Sequence, residues 1–308
     1  MNRKTKVLIT GGAGFIGSHL SNRLSENNFD VLVIDNLSKG KLKNLSKSIE
    51  FLKQDIRSKA FIKTFENFKP DYLFHLAAQT NITKSQKNPK EEFEINFLPI
   101  IEMLRTAKKV NLKKIIFSSS AAVYGDCKVL PIKENSMLNP SSPYGISKLA
   151  TENYIKYFSE EFKQQYVILR YANVYGPKQD FTSEGGVVAI FVVNMINGKD
   201  IKINGSGNQT RDFIFVEDVV RANMKSLNKN LKGIYNIGTS QEVQIKDLYN
   251  KLKMLIKTKS KAKLMIDAPF GVRRSSLSYY LFKKNAGFKV STDFATGLKK
   301  TIDYFNNL

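Results

Sequence analysis

Residues 7–17 read Val-Leu-Ile-Thr-Gly-Gly-Ala-Gly-Phe-Ile-Gly, a β-branched run that ends in glycines at 11, 14 and 17. No other stretch restricts the fold as far, because a strand must stop where the glycines begin and a helix must start among them. Gly11 permits a tight turn at φ values closed to other residues. Gly14 lets the backbone approach a pyrophosphate, and Gly17 allows close helix–strand packing, with the phosphates at the helix N-terminus. Glycine spacing alone is weak; its place between a predicted strand and a predicted helix gives it weight. Asp35 closes the next β-type run, 18 residues after Gly17. A carboxylate there accepts both hydroxyls of an adenosine ribose and repels a 2′-phosphate, which favours NAD over NADP. Lys39 and Lys41, close by, work against that preference. Asp55 ends the third run, a place to contact the adenine.

Similar runs occupy 7–10, 31–35, 51–55, 72–77, 114–120 and 167–171, with helical stretches at 17–26, 89–110 and 144–162. Continuous apolar strands separated by helices imply parallel strands buried on both faces. The expected fold is α/β: a doubly wound parallel Rossmann-type sheet, with its ligand crevice beyond the carboxyl ends of the strands. After Tyr171 the alternation breaks at Asn173-Val-Tyr-Gly-Pro177. A polar loop at 180–186 leads to an apolar helix at 187–196. The expected division is a dinucleotide-binding domain over 1–173, to which segments around 210–240 return, and a smaller C-terminal substrate-binding α/β domain over 174–308.

Tyr144 and Lys148 are four residues apart, so they share one face of a helix. A free tyrosine titrates near pH 10, too high for an efficient base at neutral pH. A neighbouring ammonium and a cationic nicotinamide would both favour the phenolate. Ser118-Ser119-Ser120 ends a strand at the carboxyl edge, where a hydroxyl can orient a substrate oxygen.

The chain resembles the extended short-chain dehydrogenase/reductases, and within them the UDP-glucose 4-epimerases. The motifs are Thr10-Gly-Gly-Ala-Gly-Phe-Ile-Gly-Ser-His19, Asp35-Asn-Leu-Ser38, His75-Leu-Ala-Ala78 and Phe117-Ser-Ser-Ser-Ala-Ala-Val-Tyr-Gly125. Tyr144-Gly-Ile-Ser-Lys148, Arg170-Tyr-Ala-Asn-Val-Tyr-Gly-Pro177, Gln209-Thr-Arg-Asp-Phe-Ile-Phe-Val-Glu-Asp218 and Tyr235-Asn-Ile-Gly238 complete them. The resemblance implies NAD-dependent epimerisation at C4 of a nucleotide-diphosphate sugar, of the UDP-glucose/UDP-galactose or UDP-GlcNAc/UDP-GalNAc type, through a transient 4-keto sugar. It makes Tyr144 the acid/base, Lys148 the residue that lowers its pKa and holds the nicotinamide ribose, and Ser120 the hydroxyl partner. Phe15, Ile16, Asn36, Ile56, Leu76, Ala77 and Ala78 join Gly11, Gly14, Gly17, Asp35 and Asp55 as cofactor contacts. Asn173 and Arg211 match the residues that hold the diphosphate, and an arginine fork suits phosphate oxygens. The related 4,6-dehydratases carry an acidic pair after the Ser/Thr, where this chain has Ala121 and Ala122, so elimination lacks its acid and base.

Near the C-terminus the family shows an Arg-Pro-Gly-Asp-like segment. Here Ala268 stands for the arginine and Gly271 for the acid, and Arg273 or Arg274 is the substitute. Ser275 aligns with a residue that is a bulky tyrosine in some glucose-only epimerases; a small side chain leaves room for a 2-acetamido group. The resemblance also implies a homodimer through the helices at 89–110 and 144–162. Two alternatives stay open: a related sugar-nucleotide dehydrogenase/reductase, and a regulator that binds dinucleotide without chemistry.

The formal net charge is +22, yet only nine of the 49 basic residues are arginine. Nucleic-acid surfaces lean on arginine for bidentate contacts, so the lysines read as compositional background and no nucleic-acid partner is expected. Cys127 is the only cysteine, which excludes an internal disulfide and a cysteine zinc cluster. His19 and His75 lack ligand spacing, and no metal is expected. No apolar run approaches the roughly 20 residues that cross a bilayer; a cytoplasmic protein without membrane insertion is expected. The lysine-dense stretch 251–263 reads as a solvated helix face, His75 as structural, and Tyr279-Tyr280 as packing.

Overall fold

A computed structural model describes residues 3–182, 186–267 and 271–308. Seven strands form the main sheet: β1 (Lys6–Thr10), β2 (Asp30–Asp35), β3 (Glu50–Lys53), β4 (Tyr72–His75), β5 (Lys114–Ser120), β6 (Gln165–Tyr171) and β7 (Gly233–Ile237). Their order is β7-β6-β5-β4-β1-β2-β3. The β1–β2, β1–β4, β2–β3 and β4–β5 pairs are parallel. The order reverses between β1 and β4, and ligands of such sheets bind beyond the strand ends at this switch point. Thr10, Asp35, His75 and Ser120 are the carboxyl-terminal residues of their strands.

Val7, Leu8 and Ile9 are all wholly buried, as a strand covered on both faces requires. One face packs Leu8, Leu32, Leu73, Ile115 and Ile168 against Phe61, Phe65, Met103, Leu104 and Ile155 of the helices. Those helices are α2 (Lys59–Phe68), α5 (Leu98–Lys109) and α6 (Pro143–Glu161); the others in this part of the chain are α1 (Phe15–Glu26), α3 (Ile82–Lys87) and α4 (Pro89–Asn96). Side chains of Ser58, Asn81, Asn88 and Ser142 cap α2, α3, α4 and α6 by accepting from first-turn amides. Gly14 caps α1 with no side-chain hydrogen bond, which leaves first-turn amides for another acceptor.

Several boundaries differ from the sequence reading. The 89–110 stretch is two helices meeting at Phe97. Pro99 offers no N–H, and its ring crowds the carbonyl four residues back. β3 ends at Lys53 and β4 at His75, so Asp55, Leu76, Ala77 and Ala78 lie in the loops that follow. The described residues group into two compact units, one of residues up to 123, 140–170 and 220–235, the other of 124–139, 171–219 and 236–308. Residues 124–139 therefore group with the second unit, and the returning segment is 220–235. The second unit contains short ladders, Asn173–Tyr175 with Phe213–Phe215, Thr210–Arg211 with Val243–Gln244, and Ile201–Asn204 with Ala262–Met265. An aromatic cluster of Tyr175, Phe213, Phe215 and Phe294 packs inside it.

Candidate functional site

The glycine turn divides into structural and open positions. Gly11 has φ +71, and a Cβ there would lie 2.6 Å from the Ala77 nitrogen. A Cβ on Gly17 would lie 2.1 Å from the Gly11 carbonyl oxygen. Its tight contact is thus with the turn itself, closer than the helix–strand packing the sequence predicts. A Cβ on Gly14 would meet only that same oxygen, at 3.2 Å. Nothing within the protein demands a glycine at 14, and the open space faces the uncapped start of α1, where an anion is favoured. Phe15 and Ile16 begin that helix.

Asp35 is buried and accepts from the Ala13 amide at 3.0 Å and the Leu37 amide at 2.8 Å, one on each oxygen. A carboxylate has about four acceptor directions, so two remain for a pair of hydroxyls. Asp55 is more committed. Its oxygens accept from the Arg57 amide, Nε and Nη2 at 2.8–2.9 Å and from Asn36 Nδ2 at 3.0 Å. Arg57 and Asn36 hold its carboxyl below the usual range. Ile56 turns its side chain into the core. The Leu76 amide donates to the Thr10 carbonyl at 3.1 Å, which seats 76–78 beside the turn. His75 is buried, 2.7 Å from the Thr10 hydroxyl through Nδ1. Burial, with Lys148 adding to it, pushes its pKa down to about 3, so it stays neutral and structural.

The Tyr144 end is built by β5 and α6. A Cβ on Gly145 would lie 2.6 Å from the Ala122 carbonyl oxygen. Glycine there lets the first turn of α6 close on the loop after β5, with the Tyr144 phenol beside the Ser120 side chain. Burial pushes Tyr144 up to about 12, with the Ser120 side chain pulling the other way. One turn on, Lys148 is 3% exposed and donates to the Ser118 carbonyl at 3.0 Å. Burial pushes it down to about 8, while Glu92 and Glu152 pull it up. One of its three N–H donors is thus occupied by β5. A further turn on, Glu152 forms a buried ion pair with Arg170 at 2.6 Å and accepts from the Ser119 hydroxyl.

In the second unit, the Asn173 amide donates to the Asp212 carbonyl at 2.9 Å, which sets the exposed Asn173 beside the neighbour of Arg211. Arg211 is largely buried, which lowers its pKa, with Asp126 as the nearby acid. Its Nη1 donates to the Thr210 carbonyl at 2.7 Å. The Thr210 amide reaches the Arg273 carbonyl at 3.0 Å, so the ladder brings 210–211 and 273–274 together. Arg274 forms a bidentate pair with Glu242 at 2.6 and 2.9 Å, a competitor for any phosphate. Ser275 is half-buried. Ala268 lies outside the described residues, and Gly271 has φ +69 with nothing near its Cβ direction.

Tyr279 packs edge-on against Phe288 at 6.2 Å, but Tyr280 is 67% exposed, which corrects the packing reading for that residue. Among the described residues no His/Cys/Asp/Glu group could hold a metal ion, and no helix is long and apolar enough to cross a membrane. Sequence reasoning missed Glu92, Gln79, Asn96, Glu152 and Arg57. Glu152 was readable, since 144, 148 and 152 fall on one helical face. Glu92 was hidden as an ordinary first-turn acid of α4.

Comparisons with known proteins show the family and the fold. The sequence profile of the NAD dependent epimerase/dehydratase family matches residues 7–238. A provisionally named UDP-glucose 4-epimerase of Methanocaldococcus jannaschii is 42% identical over 98% of both chains. The UDP-glucose 4-epimerase of Thermotoga maritima, solved with UDP-glucose, superposes with a TM-score of 0.95 at 39% identity, covering 98% of this chain and 99% of that one. A UDP-N-acetylglucosamine 4-epimerase of Methanobrevibacter ruminantium, solved with UDP-N-acetylmuramic acid, gives 0.94 at 33% identity over 99% of both.

Proposed function

This chain belongs to the NAD-dependent epimerase/dehydratase family, and we propose that it inverts C4 of a UDP-sugar through a 4-keto intermediate. The observation that carries the reading is Tyr144 beside Ser120 with Lys148 one turn away, no acid replacing Ala121 or Ala122. The residues fit NAD: the open face of Gly14, the uncapped start of α1 and the two remaining acceptor directions of Asp35 suit a pyrophosphate and a ribose. Bound NAD supplies the hydride acceptor at C4 and, once the sugar has turned, the hydride donor. Tyr144 Oη takes the proton of the 4-hydroxyl and later returns it to the ketone oxygen, so protons and hydride both balance over the cycle. At neutral pH the protein alone favours the phenol, since burial places Tyr144 near 12; a positive charge beside the ring is needed to lower it. Lys148 contributes such a charge and keeps N–H donors for ribose hydroxyls. Ser120 holds the reacting oxygen on the side of Tyr144.

Arg211 and Asn173 are the proposed diphosphate anchors. Arg274 is the third, once Glu242 releases it. The small Ser275 extends the substrate range to 2-acetamido sugars. The protein acts in the cytoplasm as a homodimer. Phe93, Leu98, Ile146, Tyr154 and Tyr157, on α4, α5 and α6, are 39–64% exposed, an apolar face that a second copy would cover.

The test is turnover of UDP-, dTDP- and GDP-sugars, N-acetylated and plain, with product identification. UDP-sugar epimerisation without net NAD(H) consumption is expected. Net consumption would favour a dehydrogenase/reductase. Turnover of UDP-glucose but not UDP-GlcNAc would refute the role of Ser275. A Tyr144→Phe variant should lose at least 100-fold in kcat, the lower range for general acid–base catalysis; unchanged turnover would remove the mechanism.

A further inference from the structure

Glu92 is 2% exposed. Its Oε1 accepts from the Ser147 hydroxyl at 2.9 Å and from the Asn96 side-chain amide, and its Oε2 from Gln79 Nε2 at 2.6 Å. All three donors are neutral. A buried carboxylate is costly unless it is hydrogen-bonded and balanced by charge. The Lys148 ammonium, hydrogen-bonded instead to the Ser118 carbonyl, supplies that balance through space. The three donors come from the loop after β4, from α4 itself, and from α6 between Tyr144 and Lys148. The loop is joined to α4 a second time: the Gln79 amide donates to Asn96 Oδ1 and Asn96 Nδ2 to the Gln79 carbonyl, both at 2.8 Å.

Resting on the C4-epimerase reading, we propose that Glu92 is a positioning residue that clamps α6 to the loop following the Leu76-Ala77-Ala78 segment and sets, by its charge, the protonation of both Tyr144 and Lys148. Other charged groups around this region are accounted for. Glu152 faces Lys148 from α6 but is paired with Arg170 of β6. His75 of β4 is neutral. Glu91 on α4 is paired with Lys84 of α3, and Glu94 lies 3.9 Å from Lys90. β5 contributes hydroxyls, carbonyls and the Phe117 ring, 4.8 Å from the Lys148 ammonium, but no charge. Glu92 is thus the one carboxylate among these without a cation at salt-bridge distance. It holds Lys148 as the ammonium against burial, and it holds Tyr144 as the phenol. The two effects share a sign: both groups keep their protons to higher pH than they would without Glu92.

Glu92→Gln keeps an acceptor and the shape while removing the charge. Both limbs of the kcat–pH profile should move to lower pH by on the order of one unit. Glu92→Asp, which keeps the charge, should reduce kcat with the profile in place. A merely structural role would lower kcat in both variants and move neither profile. Tyrosinate absorbance at 295 nm, titrated in the NAD⁺ complex without sugar and differenced against Tyr144→Phe, gives an independent readout. The Tyr144 transition should fall in Glu92→Gln whether or not the sugar reaction is the one proposed, so a missing epimerase activity and a mistaken role for Glu92 are told apart. If Glu92→Gln does not fold, Glu92→Met, equally uncharged, replaces it: a Tyr144 transition moved to lower pH supports the charge role, and one at the wild-type pH overturns it. Coincident Glu92→Gln and wild-type titrations also overturn it.

Discussion

The glycines of the first turn separate folding from ligand binding, and each can be perturbed by one methyl group. Gly14 sits at φ −73, ψ −173, extended backbone that alanine adopts freely. Its Cβ would touch one carbonyl oxygen at 3.2 Å, a few tenths of an ångström too near. Alanine also restricts the unfolded chain, worth about 0.4–1 kcal/mol in its favour, and caps a helix less well than glycine by about 0.5 kcal/mol. These terms nearly cancel, so Gly14→Ala should change stability by less than about 1 kcal/mol. Gly17→Ala drives a Cβ to 2.1 Å from the Gly11 oxygen and 2.8 Å from Gly12 Cα. Neither neighbour is a side chain that can swing away, and the turn must shift by more than an ångström. Overpacking of this kind costs about 3 kcal/mol or more, roughly 5–8 °C in Tm for a chain or unit of this size. NAD binding should reverse the order of interest. Gly14→Ala should fold and bind NAD at least tenfold more weakly, about 1.4 kcal/mol, because the methyl fills the space a pyrophosphate needs. Thermal melts with and without NAD, and calorimetric titration, read both quantities. A folded Gly14→Ala protein with wild-type NAD affinity would refute the assignment, as would a Gly17→Ala protein of wild-type stability.

Glu152→Gln leaves the Arg170 guanidinium, 1% exposed, without its charge partner and should cost about 3–5 kcal/mol in urea unfolding. The Arg170→Met/Glu152→Leu double variant should cost far less than the sum of its single changes, and additive losses would contradict a coupled pair. Tyr157→Glu places a charge on a 64% exposed ring of α6 and should turn a dimer into monomers in sedimentation equilibrium; an unchanged mass would move the interface elsewhere or remove it.

The sheet was legible because its strands are buried on both faces and so are written as runs such as Val7-Leu8-Ile9, with turn residues between them. Asp35 was legible because a strand's last residue is fixed by the strand. Asp55 was harder. Two residues past β3, its side chain answers to Arg57 and Asn36, and a loop's side-chain pairing has no period to read. The break between α4 and α5 was visible in Pro99, yet the apolar pattern ran through it. Residues 124–139 group with the second unit by long-range contacts, among them the Tyr124 hydroxyl on Asn236 at 2.7 Å and the Ile132 amide on the Ser276 carbonyl at 2.8 Å. No local signal carries pairings across more than a hundred residues. Glu92 escaped because its partners arrive from three segments.

The buried charges around Lys148 also show where charge matters in a chain of net charge +22. Lys148 and Arg170 are balanced by Glu92 and Glu152, all four at 3% exposure or less. In so little water a single unmatched charge is worth several kcal/mol, so each member fixes the protonation and place of the others. Surface lysines do neither. Lys109 and Glu66, 2.8 Å apart with the lysine 68% exposed, form a pair of the kind worth at most about 1 kcal/mol, and salt screens it. A field of scattered lysines can hasten the arrival of a polyphosphate but orients none of its atoms. The pH dependence of turnover should therefore follow Tyr144 and Lys148 amid these buried charges and be nearly blind to ionic strength, while the association rate of a doubly charged sugar nucleotide should fall as salt rises. A turnover profile that moved with salt would place the controlling charge at the surface and displace Glu92 from the argument.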